Sequence, residues 1–118
     1  MARLIKRGQI WVANLDPGYG IEIRKKRPVL VISSDIFNKQ LKTVIVIPIS
    51  TQVLPLGPEK ILIEKDGSGL EKDSAALVVD IRAIDKGRLI KRAGKISKQK
   101  LLEVEEAIKL VLGIASLE

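Results

Sequence analysis

Apolar residues recur along this chain with two periods, and the change between them separates a strand-rich body from a helical tail. "QIWVANL" at 9–15 follows a glycine and predicts a first strand. "PVLVIS" at 28–33 is apolar almost without a break, which predicts a central strand covered on both faces. "TVIVIPIS" at 43–50 predicts its partner. Pro48 has no N–H to give to a ladder, so this strand is expected at a sheet edge or bulged near its end. "SDIFNKQLK" between the two leaves room for a short helical turn or loop. Further strands are predicted at "KILIE", at "SAALVVDI" (74–81) and at "GRLIKRAGKI" (87–96). Glycine and proline clusters, "DPGYG", "PLGP" and "KDGSG", separate them. Beyond Ser97 the spacing of Leu101, Val104, Ile108, Val111 and Leu112 turns helical, with Ser97 placed to cap the start and Gly113 the end. Many short strands and one closing helix predict a mainly β, partly open small barrel with a C-terminal helix. A single domain over 1–118 is expected, without repeats.

Composition narrows the chemistry. At 46% hydrophobic with 3% aromatic, the core must be built from Ile, Leu and Val. The 21 basic and 14 acidic residues give a net charge of +7, which favours a polyanionic partner. The absence of cysteine excludes disulfides and thiolate chemistry and fits a reducing cytoplasm. No segment has the length of a signal peptide or a membrane span, so a soluble protein without membrane contact is expected. Without histidine the imidazole pair of RNA cleavage is unavailable, and no carboxylate cluster suits two metals. Neither metal nor cofactor is expected.

The cations of "EIRKKRPVLVI", 22–32, sit directly before the central strand. The connection from that strand to the next is about nine residues, short of the dozen or more that a parallel crossover needs. The two are therefore expected to be antiparallel neighbours, with Arg27 at the start of one beside Ser50 and Thr51 at the end of the other. The loop 16–26 empties onto the same end and brings Glu22, while Pro28 biases Arg27 towards extended backbone. A guanidinium can fork onto two phosphate oxygens, a hydroxyl can donate to a third, and a carboxylate can take a proton from a ribose 2′-OH. Arg24, Lys25 and Lys26 would add positive charge. Each residue also has an ordinary reading. A basic loop before a core strand is solvated surface or a guard against edge pairing. Ser50 and Thr51 are turn residues at a strand end, Glu22 is surface, and Trp11 is core rather than a stacking platform beside Tyr19. Residue chemistry alone reaches a basic barrel with a candidate anion site.

The ordered motifs say more. "RGQIWVANLDPGYGIEIRKKRPVLVIS" at 7–33 resembles the opening of the MazF/PemK family of toxin endoribonucleases, with its aromatic strand, D-P turn, G-x-E loop and R-P step into an apolar strand. "VIPIST" with Gln52 resembles the family's hydroxyl-terminated strand, and "DSAALVVDIRAIDKGRL" at 73–89 its later strand and I-R-x-I-D turn. The resemblance implies an SH3-like barrel of the plasmid-toxin (CcdB/PemK) type and a homodimer. It implies metal-independent cleavage of single-stranded RNA, mRNA in particular, at a short sequence, leaving 2′,3′-cyclic phosphate and 5′-hydroxyl ends. A cognate acidic, MazE-like antitoxin is the implied partner. By position Arg27, Ser50 and Glu22 match the family's catalytic residues. Thr51, Gln52, Arg24, Lys25, Lys26, Arg82 and Asp80 are the RNA-binding candidates. Ile21 departs from a frequent serine, and Asp80 from a frequent glutamine whose place its charge makes less welcoming to phosphate. Two other readings stand beside this one: an RNA-binding barrel without activity, and a gyrase-poisoning toxin of the same fold.

Overall fold

Seven strands and two helices account for most of residues 3–15 and 25–116, the part of the chain that this computed structural model describes. β1 (Gln9–Asn14) pairs antiparallel with β2 (Lys26–Val31), setting Trp11 opposite Val29 and Ala13 opposite Arg27. After α1 (Asp35–Gln40), β3 (Thr43–Ser50) returns beside β2 with Val29 opposite Pro48 and Val31 opposite Val46. β4 (Lys60–Ile63) and β5 (Ser74–Leu77) pair with each other, and β5 also pairs with the end of β3. β6 (Arg82–Asp85) pairs with the start of β3, β7 (Leu89–Lys95) pairs with β1, and α2 (Lys98–Val111) follows. The order is β4-β5-β3-β2-β1-β7 with β6 also on β3, so the antiparallel sheet curls without closing.

Alternation along β2 and β3 sends side chains to two faces, and both are buried. Trp11, Val29, Val31, Val44, Val46 and Ile84 fill one core; Ile10, Leu30, Ile47 and Ile49 meet Val104 and Ala107 of α2 in the other. This double cover explains the unbroken apolar run of the central strand. Burying each such aliphatic side chain stabilises by about 1.5–3 kcal/mol. The helix starts where Ser97 Oγ accepts the Lys100 N–H at 3.1 Å, and it ends before Gly113 at φ +75. Leu112 falls past the last helical residue and is exposed.

Pro48 lies neither at an edge nor in a bulge, contrary to its sequence reading. β3 is flanked on both sides, and its register with β2 runs evenly through Val46–Pro48. Ile45 O accepts the Ile32 N–H, so the odd residues of β3 turn their backbone groups to β2 and Pro48 turns its nitrogen the other way. On that side β6 ends against Val46, β5 begins against Ile49, and a 3₁₀ turn, Val78–Asp80, fills the interval. The proline therefore interrupts no ladder. The same turn cuts the expected 74–81 strand to Ser74–Leu77, and the chain resumes as β6 where the motif reading expected a turn.

Candidate active site

Arg27 is the second residue of β2 and Ser50 the last of β3. The β2–β3 pairing ends with Val29 opposite Pro48, two residues short of Arg27 and of Ser50, and the same register extended along both strands would oppose these two. Both then project from one face, and residues opposed in this way hold their Cβ atoms about 5 Å apart. The row continues to Ala13 beyond Arg27 and to Ala75 beyond Ser50. Two buried alanines therefore flank the pair.

The Ser50 hydroxyl is oriented locally. Its Oγ accepts the backbone N–H of Gln52 at 3.0 Å, so its own proton is left to donate elsewhere. A cavity of about 310 Å³ opens beside it, lined by Gln52, Asp80, Glu59 and Lys60 and by the apolar Leu54 and Val79. Thr51 turns to the other side of the sheet, where it lines a separate cavity with Val12 and Pro28. The two adjacent hydroxyls thus serve different faces, as alternation requires.

Asp80 ends the 3₁₀ turn and shares the Ser50 cavity. Arg82 is half-buried and opposes Val46, hence on the Arg27 face but four residues along β3 from Ser50, roughly 13 Å at the strand rise. Lys25 and Lys26 are exposed at the entry to β2. Lys25 takes the left-handed conformation, φ 69, and its carbonyl accepts the Leu15 N–H at 2.9 Å, closing the β1–β2 ladder. Glu22 and Arg24, with Tyr19 and Ile21, lie outside the described residues. Trp11 is buried, its Nε1 donating to Gln9 Oε1, and so serves the core.

Glu59 and Lys60 join the site without having been expected there. They arrive through the β4–β5 pairing, which opposes Lys60 to Leu77. Their adjacency at the head of "KILI" is visible in the sequence, but nothing local ties that strand to Ser50. Among the described residues no three His, Cys, Asp or Glu side chains gather as a metal site. No described helix is long and apolar enough to cross a membrane.

The sequence profile of the PemK-like, MazF-like toxins of type II toxin–antitoxin systems matches residues 6–112. The chain belongs to this family. As a PemK/MazF-like toxin it is 31% identical over 118 residues to Endoribonuclease MazF9 of Mycobacterium tuberculosis, an alignment spanning 96% of this chain and 100% of that protein. It is 38% identical over 112 residues to Endoribonuclease MazF of Staphylococcus epidermidis, covering 94% of this chain and 93% of the relative. The structure of MazF from Deinococcus radiodurans superposes with a TM-score of 0.83 at 20% identity, over 95% of this chain and 99% of that one. A mycobacterial endoribonuclease solved in complex with its cognate antitoxin gives a TM-score of 0.78, also at 20% identity, over 95% and 98%. At that identity the two structures establish the fold: a mainly antiparallel sheet with a C-terminal helix, barrel-like but not closed.

Proposed function

We propose that this toxin is an endoribonuclease that cuts single-stranded RNA, mRNA in particular, at a short specific sequence by transesterification, without a metal. The positions of Arg27 and Ser50 at neighbouring strand ends, with the Ser50 hydroxyl oriented by the Gln52 N–H, support the proposal. The ribose 2′-oxygen attacks the adjacent phosphorus and loses its proton to a base, for which Glu22 is the candidate. The bond to the 5′-oxygen breaks, and that oxygen takes a proton from water. The ends are a 2′,3′-cyclic phosphate and a 5′-hydroxyl. Arg27 stabilises the charge that builds on the phosphorane oxygens, where a positioned donor counts most, and Ser50 donates to one of them. Gln52, Asp80 and Lys60 line the adjoining cavity, where the bases beside the cut would be read. Purified protein should cut single-stranded RNA in excess EDTA and leave cyclic-phosphate ends, whereas duplex RNA, whose bases cannot be splayed, should resist. Activity abolished by chelation and restored by magnesium would refute the metal-free mechanism.

The toxin works as a two-fold homodimer in this reading. Leu54, Leu56 and Val79 are 70%, 65% and 58% exposed, and Leu54 and Val79 border the Ser50 cavity. Apolar surface beside a basic site suits a second copy of the same face, so that cations of both protomers line one RNA groove. Light scattering at micromolar concentration should give twice the chain mass. A monomer with full activity would contradict the assembly. The net charge of +7 suits a cognate antitoxin that covers the groove with an acidic segment.

A further inference from the structure

The roomier of the two cavities that border the strand ends lies across the sheet from Ser50. It measures about 570 Å³, begins at Pro28 and Thr51, and brings in Lys72, Lys91 and Arg92 with Glu71 at the wall. Pro28 follows Arg27 and Thr51 follows Ser50, so the groove starts one residue from the catalytic pair on the opposite face of the same strand ends. Among the described residues three cations face one carboxylate, which favours an anion. No aromatic ring among the described residues lines the groove, and its cations offer phosphate contacts.

Its walls are built rather than incidental. Lys91 and Arg92 are consecutive residues of β7 and should point to opposite faces, yet both line the groove. The β1–β7 register shifts on either side of them, between Ile10 and Trp11 and between Val12 and Ala13. Irregularities of this kind re-aim side chains. The wall that carries Glu71 and Lys72 is held against β7 by backbone packed on backbone. A Cβ on Gly69 would run into the carbonyl oxygen of Ala93, and one on Gly94 into that of Ser68.

We propose that this groove is a second RNA subsite, in which Lys72, Lys91 and Arg92 hold the phosphodiester backbone of the single strand flanking the cleaved phosphate. The inference rests on the ribonuclease reading. A polynucleotide is continuous, so a strand whose phosphate lies between Arg27 and Ser50 must leave past the strand ends, and the cationic exit is here. The subsite reads charge, not sequence. It therefore adds affinity for long substrates without changing where they are cut.

The test compares a long transcript containing one mapped cut with a short oligonucleotide centred on that cut. The variant carries Lys72→Gln, Lys91→Gln and Arg92→Gln together. KM for the transcript should rise about tenfold or more with kcat unchanged. The dependence of log KM on log salt should flatten by about 0.7 for each phosphate that the variant no longer neutralises. The oligonucleotide should be cut as by the parent. Lys72→Gln alone, away from the β7 edge, should raise the transcript's KM by a smaller factor. An unmoved KM and salt slope for the transcript would overturn the subsite and leave the cations as guards of an edge strand or contacts for a protein. An equal loss of kcat on both substrates would also overturn it, as damage to the fold. A parent protein that cuts neither RNA would instead refute the ribonuclease reading itself.

Discussion

Arg27→Ala should lower the single-turnover rate of RNA cleavage by about 10² to 10³, the scale for losing one donor aimed at transition-state charge. The side chain is half-buried at the start of β2, beyond the last pairing of β2 with β3 at Val29, and its row neighbours are alanines. Truncating it opens no large cavity in either core, so the variant should fold. Arg27→Lys separates charge from geometry. Lysine keeps the cation but lacks the planar fork, so it should recover only part of the rate. A folded Arg27→Ala protein that cleaves within a few-fold of the parent would remove Arg27 from the chemistry.

Ser50→Ala should cost about ten- to a hundred-fold in cleavage rate, because a hydrogen bond to a charged group contributes roughly 1.5–3 kcal/mol. Binding of an uncleavable RNA should be largely kept. Thr51→Ala should change the rate least of the three. The two faces of the strand set this order. Ser50 lies at the strand end beside the start of β2 and accepts the Gln52 N–H, whereas Thr51 lines the cavity across the sheet. A bulge at Pro48 would exchange the two faces, and the β2–β3 register is even up to Pro48, where that pairing ends. A folded, inactive Thr51→Ala beside a normally active Ser50→Ala would move the hydroxyl role one residue along.

What can be read from the sequence is what local periodicity encodes. The buried run of β2, the antiparallel return of β3 after a short connection, and the Ser97 and Gly113 ends of α2 each depend on residues close in the chain. Pro48 escapes a local reading because its tolerance depends on a gap between β5 and β6, strands more than two dozen residues away. "SAALVVDI" looks like one strand because its apolar residues do not show that two partners must share one edge of β3. The placement of Lys60 beside Ser50, and of Lys91 and Arg92 in one groove, follows from pairings and register shifts for which no short motif exists. The positions of Arg27 and Ser50 at strand ends are legible because periodicity already defines those elements.

The two cores on either face of β2 and β3 also bear on how the toxin comes apart. Leu30 belongs to one core and Val29 and Val31 to the other, and β1 and β3 divide their side chains in the same way, so these three strands form the wall between the cores. Neither core can open by itself without baring apolar side chains on a strand that the other still needs. The pair therefore behaves as one cooperative unit, and partial unfolding is confined to parts outside it. Arg27 and Ser50 are mounted on the ends of those shared strands. The strand ends that carry the two residues are therefore anchored in this cooperative unit.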